Sequence, residues 1–395
     1  MIPSGWEKKP LAYVAFIQTG IAKGAKKLKN SVELPYLRVA NVQDGFLDLS
    51  LIKTIEIEET QIERYLLQVG DVLLTEGGDF DKLGRGTVWK GEIDRCVHQN
   101  HVFVARPKPG VVLSEYLSLL TGSPYGKSYF LKCSKQSTNL ASINSTQLKE
   151  FPVLLPPLPE QTAIADLLST WDQAIEKAER LVAAKEKRFK WLVQVLVSNQ
   201  LGHWKHLGAE EVFQSVSDKK NGDAELLSVT QDRGVIPRTM LEGRVMSPEG
   251  STDSYKLVKE GDFVISLRSF QGGIEYSRYQ GLISPAYTVL RPKLKIQHDF
   301  YRHFFKSHLF VEKYLSIAVI GIRDGKQISI PDFMTVKIPY PPLEQQKQIA
   351  ETLNTARQEI DLQKRQAETY RKQKRGLMQK LLTGTWRVRT GGNYE

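Results

Sequence analysis

The stretch Cys96-Val-His98-Gln-Asn-His101 places a thiol and two imidazoles within six residues, side chains of the kind that ligate zinc. In a strand, Cys96 and His98 project from one face and His101 from the other, so the three do not converge and a structural or DNA-contacting use is favoured. Gly122-Ser-Pro-Tyr-Gly-Lys-Ser128 approaches a phosphate-binding loop, but its leading glycine would have to stand at Thr121, and the stretch reads as helix. The Asn/Asp-Pro-Pro-aromatic run of an adenine methyltransferase does not occur, and no glycine-rich cofactor loop follows a strand. Pro331-Asp332 lacks the acid-x-Lys that a metal-dependent nuclease needs, and no spacing sets a histidine beside a Ser or Cys nucleophile. The expectation is a chain with no catalytic centre and no metal.

Charge points elsewhere. The 395 residues carry a net +11, a balance that suits a polyanion, and nucleic acid is the commonest. Lys23, Lys26, Lys27 and Lys29 crowd one short segment that looks like a phosphate-contacting loop. Hydrophobic residues at 41% and charged residues at 25% are ordinary for a globular chain of two or three domains. Two cysteines imply no disulfide framework, the N-terminus lacks a signal-peptide run, and no apolar stretch would span a bilayer. A cytoplasmic protein without membrane partners is expected.

The elements that must position these residues come in duplicate. Pro-Pro-Leu-Pro-Glu-Gln from Pro156 returns as Pro-Pro-Leu-Glu-Gln-Gln from Pro341, and the alignment needs no gap for the next forty-odd residues. Gln161, Ile164, Ala165, Leu168, Ile175, Leu192 and Leu196 fall on identical residues 185 positions later. The same offset lays Arg106 on Arg291 and Tyr116 on Tyr301, while Gly70-Asp71 answers Gly261-Asp262 with a slip of a few residues.

Each repeat opens a heptad run with an unbroken 4-3 alternation, which is coiled-coil spacing. The first seam holds Ile164, Leu168, Trp171, Ile175, Phe189, Leu192 and Leu196, and the second Ile349, Leu353, Ala356, Ile360, Tyr370, Leu377 and Leu381. An antiparallel pairing sets Ile164 against Leu381, Ile175 against Tyr370, Phe189 against Ala356, and Trp171 against the Lys374 stem as a cation–π contact. Residues 160–198 balance six basic with six acidic side chains, whereas 344–390 hold eleven and five.

The intervening parts alternate short apolar runs with turns. Asp71–Thr75, His101–Arg106, Phe151–Leu155, Asp262–Leu267 and Ala286–Pro292 read as strands. Ser114–Lys132 and Asp299–Ser316 read as amphipathic helices, and Thr75–Trp89 as a long polar loop. The fold class is therefore α+β: two mixed α/β domains separated by two long helices packed as an antiparallel coiled coil with pseudo-two-fold symmetry. Expected boundaries are 1–155 and 199–338 for the globular domains, 156–198 and 339–384 for the helical spacers, and 385–395 for a C-terminal tail.

The phrase Ile338-Pro-Tyr-Pro-Pro-Leu-Glu-Gln-Gln resembles the one that opens the conserved helical regions of type I restriction–modification specificity subunits. Pro35–Gly45, Val69–Gly78, Leu226–Val235, Glu260–Gly273 and Leu377–Val388 are similar to that family's pattern as well, so the likeness spans essentially the whole chain. One departure is Pro159 where the second copy has Glu344, tolerable in a first helical turn. The resemblance implies a non-catalytic subunit whose two target recognition domains read the halves of a bipartite double-stranded DNA sequence. It implies recruitment of two modification (methyltransferase) subunits and of restriction/motor subunits, with S-adenosylmethionine, ATP and Mg used by those partners and no cofactor bound by this chain.

Under that reading, base edges call for Arg or Lys on guanine and Asn or Gln on adenine. Arg38, Lys82, Arg85, Gln99, Asn100, Thr138 and Asn139 are the candidates in the first domain, and Arg268, Gln271, Arg323, Lys326 and Gln327 in the second. The competing class is a coiled-coil scaffold with an incidental basic surface; a stand-alone restriction enzyme is disfavoured by the missing motifs.

Overall fold

The computed structural model describes residues 2–22, 30–136, 141–222, 224–241, 252–266, 272–320 and 327–388. The chain divides into two compact units, Met1–Glu179 with Gln366–Glu395, and Arg180–Arg365. Two helices of 39 residues each, Leu158–Leu196 and Leu343–Leu381, start and stop at equivalent places in the repeat and give residues to both units. Among the described residues no helix is long and apolar enough to cross a membrane.

In the first unit a four-stranded antiparallel sheet runs in the order Ala15–Thr19, Val102–Pro107, Val72–Thr75, Gly86–Val88. Its central strands are apolar and buried over Val72–Leu74 and Val102–Ala105, as strands covered on both faces must be. A second sheet pairs Ser31–Leu37 with Lys53–Glu58 antiparallel and with Val97–His98 in parallel. The expected polar loop 75–89 is more ordered than its composition suggests. Gly77–Gly78 pairs with Ala141–Ser142, Phe80–Lys82 makes one 3-10 turn, and Gly86–Val88 is the sheet edge.

The second unit repeats the plan with Phe213–Val216, Tyr287–Pro292, Phe263–Ser266 and Glu275–Tyr276. Its core is aromatic: Phe213, Phe263, Phe300, Tyr301, Phe304, Phe305 and Phe310 are all fully buried and meet edge-on or tilted.

Each expected amphipathic helix near the end of a unit breaks in two at a serine. The first runs Ser114–Gly122 and resumes at Pro124–Cys133; the second is helical over His298–Phe305 and resumes as a π turn, Phe310–Tyr314. Ser123 Oγ donates to the Leu120 carbonyl (2.6 Å) and accepts from Gly126 N (3.2 Å), and Ser307 repeats this with Phe304 and Phe310. A hydroxyl that binds backbone on both sides offers the chain an alternative to continuing the helix. A Cβ on Gly126 would lie 2.2 Å from the Thr121 carbonyl oxygen, so this corner needs glycine.

The repeated phrase owes its sequence to a buried amide. Gln161, fully buried, accepts from Leu113 N (2.9 Å) and donates to the carbonyls of Pro156 (2.9 Å) and Val111 (3.2 Å). Gln346, equally buried, accepts from Gln297 N (2.8 Å) and donates to the Pro341 carbonyl (2.9 Å). The residue before each glutamine holds an indole: Trp6 Nε1 donates to Glu160 and Trp204 Nε1 to Gln345, both at 3.0 Å. Tyr116 and Tyr301 donate to the carbonyls of Leu154 and Pro339, strand residues two positions before each proline pair. Three separate ties thus fix each helix start to its own domain.

Every heptad position of both helices is buried or half-buried. In the first unit Ile164, Leu168 and Leu381 share one core cluster, with Leu377 packed against it. The Lys374 ammonium goes to the Asp172 carboxylate rather than over an aromatic ring, and the Trp171 ring lies edge-on to Tyr370 at 5.9 Å. Arg371 pairs with Glu179 in the same unit. In the second unit Phe189, Leu192, Leu196 and Ile349 pack against a cluster containing Leu353, and Lys185–Glu359 and Lys364–Glu186 pair between the helices. Ala356 lines a groove of about 460 Å³ beside Phe189, whose ring lies under the Arg357 guanidinium.

Residues 382–388 return to the first unit. Leu382 is fully buried, and Arg387 clasps the 3%-exposed Glu160 through Nε (2.6 Å) and Nη2 (2.8 Å) while Nη1 donates to the Ser4 carbonyl (2.9 Å). In the second unit the equivalent of Glu160 is the uncharged, exposed Gln345.

Leaving a buried backbone group without its amide partner costs about 1–3 kcal/mol, and Gln161 serves three such groups. Gln161→Leu is expected to lower the urea midpoint of the first unit accordingly, whereas Thr162→Ala on the exposed neighbour changes it by less than about 0.5 kcal/mol. Equal midpoints for the two variants would remove the amide from this role.

Candidate nucleic-acid interface

The described candidate residues of the first unit lie on loops at the C-terminal end of the strand Val72–Thr75 and around it. That strand is anchored from below: Arg106 Nε and Nη2 donate to Asp71 at 2.7 and 2.8 Å, and Gln68 N donates to the same carboxylate. Arg291, Asp262 and Lys259 N reproduce the arrangement in the second unit. The paired carboxylate raises the pKa of each arginine further, so both stay charged.

Above the anchor the chain is folded tightly back. Thr75 Oγ1 donates to the Lys82 carbonyl (2.7 Å), and Thr75 N donates to the Arg85 carbonyl (2.8 Å). Between them Gly84 has φ +63°, and a Cβ there would fall 2.5 Å from the Phe130 ring. The turn thus presents Arg85, whose Nη1 donates to Gln43 Oε1 at 2.6 Å. Gln43 belongs to a second turn, closed by Gln43 N on the Phe46 carbonyl (3.0 Å) and joined to the first by Gly45 N on the Gly86 carbonyl (2.9 Å). Lys127 reaches Asp44 of that turn at 2.5 Å, and Lys82 pairs with Asp79.

Gln99 and Asn100 are half-buried and held by backbone. Gln99 N donates to the Leu37 carbonyl and Asn100 N to the Ile21 carbonyl, each at 2.9 Å. The Asn100 amide lies 3.4 Å from His101 Nε2, and His101 pairs with Glu76. Arg38 turns inward instead. Its Nη2 donates to the Leu51 carbonyl (2.9 Å), beside Asn41, whose amide binds Leu51 and Asp48. The guanidinium thereby braces the 38–51 loop. Cys96 and His98 are buried and His101 exposed; among the described residues no group of three or more His, Cys, Asp or Glu could hold a metal ion.

Gln327 is exposed on a short strand, Gln327–Ile328, paired with Val319–Ile320. Lys23, Lys26, Lys27, Lys29, Thr138, Asn139, Arg268, Gln271, Arg323 and Lys326 lie outside the described residues. The structure therefore gathers Lys82, Arg85, Gln99 and Asn100 on neighbouring loops and adds two residues that sequence reasoning passed over. Gln43 had a signal, standing in a turn-forming Gln-Asp-Gly, whereas Lys127 carries one only as the lysine of the phosphate-loop-like Gly122–Ser128 run, which folds as helix. Chemically, such a rim offers a forked cation and several amides, the donor sets that match purine edges.

The comparisons with known proteins agree with one another. The family described as Type I restriction modification DNA specificity domain matches twice, over residues 3–185 and 207–369, and the chain belongs to it. It is 26% and 25% identical to the MjaX and MjaVIII type I restriction enzyme specificity subunits of Methanocaldococcus jannaschii, over 98% of this chain and 95% and 94% of theirs. Its fold is that of the HsdS subunit from Thermoanaerobacter tengcongensis (TM-score 0.54, 17% identity, 98% of both chains). A chain solved in work on complex assembly and conformational transition of the type I R-M system superposes with TM-score 0.63 at 17% identity, covering 98% of this chain and all of that one.

His98 supplies the test of how rigid the rim's base is. Its Nδ1 donates to the Val102 carbonyl at 2.7 Å, and burial lowers its pKa from 6.5 to about 4. The unfolded chain therefore takes up this proton first, so the contribution to stability is complete above pH 6.5 and lost as pH falls toward 4, by up to about 3 kcal/mol. His98→Asn, which keeps a donor near Nδ1, is expected to show a smaller fall in thermal midpoint between pH 7 and pH 4.5 than the parent. Identical pH profiles would refute the assignment.

Proposed function

We propose that this chain is the non-catalytic DNA-reading subunit of a type I restriction–modification complex, recognising a bipartite target with one half-site per recognition domain. The carrying observation is duplication with the same joint: two α+β domains, each tied to the start of a 39-residue helix by a buried glutamine, a tryptophan and a tyrosine. Domains 1–155 and 199–338 are the readers, and 156–198 and 339–384 the spacers. Lys82, Arg85, Gln99 and Asn100 serve the first half-site, with Arg85 set by Gln43. The lysines at 23, 26, 27 and 29 contact phosphate, and the second-domain candidates take the corresponding places.

The helices form an antiparallel coiled coil about a pseudo-dyad. Support comes from the ion pairs, in which rising numbers on one helix (172, 179, 186) meet falling numbers on the other (374, 371, 364). Methyltransferase subunits bring S-adenosylmethionine and the transfer chemistry; restriction subunits bring ATP, Mg and cleavage.

Purified chain combined with methyltransferase subunits is expected to enrich a split motif from random duplex DNA. No enrichment with or without partners would favour the scaffold reading. One heptad adds about 10.5 Å of helix, so inserting one into both helices at paired positions should lengthen the spacer by about three base pairs at roughly 3.4 Å each, with both half-sites kept. An unchanged spacer would refute the helices as its ruler.

A further inference from the structure

Two phenylalanine rings stand in the open on the first unit's reading rim. Phe46 is 60% exposed and Phe80 42% exposed, and among the described residues neither belongs to the unit's apolar clusters. A lone exposed aromatic needs no explanation. These two share a setting that does. Phe46 ends the Gln43–Phe46 turn, and its carbonyl closes that turn by accepting from Gln43 N. Phe80 opens the 3-10 turn Phe80–Lys82, which Lys82 N on the Asp79 carbonyl (2.8 Å) and Thr75 Oγ1 on the Lys82 carbonyl (2.7 Å) pin in place. The Gln43–Phe46 turn is joined to the residues that follow the Phe80–Lys82 turn by Gly45 N on Gly86 and by Arg85 on Gln43. Both rings are therefore carried on hydrogen-bonded turns adjoining one forked cation.

What would cover them must satisfy the whole rim. A hydrophobic protein surface would leave Arg85, Lys82 and the Gln43 amide facing apolar groups, at the cost of desolvating them. A polyanion alone has no use for aromatic rings. Duplex nucleic acid offers both phosphates for the cations and thymine methyls or base steps that an apolar wedge can open for the rings, with a base edge for the guanidinium between. Ring-to-base contact is also cheap in entropy, because a phenylalanine has only two side-chain torsions to fix.

We propose that Phe46 and Phe80 are base-contacting residues of the first half-site, laid against the bases beside Arg85; this rests on the DNA-specificity reading above. They supply apolar complementarity where Arg85 supplies hydrogen bonds, and neither touches phosphate.

The test uses the full chain assembled with its methyltransferase subunits and the DNA target selected by the parent. Phe46→Ala, Phe80→Ala and the leucine variants are compared for affinity across a salt series and for thermal midpoint. Each alanine variant is expected to lose roughly tenfold in affinity for the target, with an unchanged slope of log affinity against log salt, because no counterion is released by a ring. Second half-site preference stays as in the parent, the leucine variants fall between, and the midpoint holds because both rings are exposed. Parental affinity in both alanine variants overturns the proposal. So does a loss traced to poorer assembly while the assembled fraction still selects the same sequence, which would make the rim a protein-docking patch. If the parent selects no split motif the functional reading falls first; if it selects one and the variants keep pace, only this inference falls.

Discussion

A single buried carboxamide in each repeat holds the molecule's plan together. Gln161 and Gln346 stand one turn into their helices, yet each is bonded to backbone groups of the preceding domain and of the proline pair. Those groups have nowhere else to bond once the helix covers them, and an unpaired buried donor or acceptor is costly. The amide therefore admits one angle and one register for the helix leaving the domain. Everything that follows inherits that register: which heptad faces pack and which charges pair along the helices.

The two joints are not equal. In the first, the Glu160 side chain is buried and answered by Arg387, with Trp6 donating to the same carboxylate. In the second, Gln345 accepts from Trp204 in the open and no charge is involved. The difference follows from how each tryptophan is reached. Trp204 is delivered by continuous chain from the end of the first helix through a short 3-10 segment, Ser198–His203, whereas the second helix meets Trp6 only by a non-covalent return. A bidentate, charge-assisted pair does there what a peptide bond does elsewhere.

Much of this was legible in the sequence because it is written in periodicity and repetition. Heptads survive any change of domain, and a repeated phrase marks repeated structure, so both helices, both joints and the main strands could be placed from sequence. The splits at Ser123 and Ser307 were not legible, since a hydroxyl turning onto its own helix leaves the amphipathic pattern intact on both sides. The partner of Lys374 was not either: heptad logic ranks seam contacts but ignores an acid one residue away, and Asp172 captured the ammonium. For the reading rim, residue type suggested which side chains can face DNA but not which are spent on scaffolding. Arg38 and Arg85 look alike in sequence, and only the carbonyl of Leu51 and the amide of Gln43 tell them apart.

The return of residues 382–388 to the first unit also sets an order of completion during synthesis. The second unit is one continuous stretch, Arg180–Arg365, and all its parts have been made before the first unit's last helical half and Arg387 are translated. The first unit, although its larger part precedes the second, is completed after it, with Glu160 waiting for Arg387. A chain cut before Leu381 thus leaves Glu160 without its arginine and the Leu381–Leu382 site of the core empty, a defect confined to the first unit.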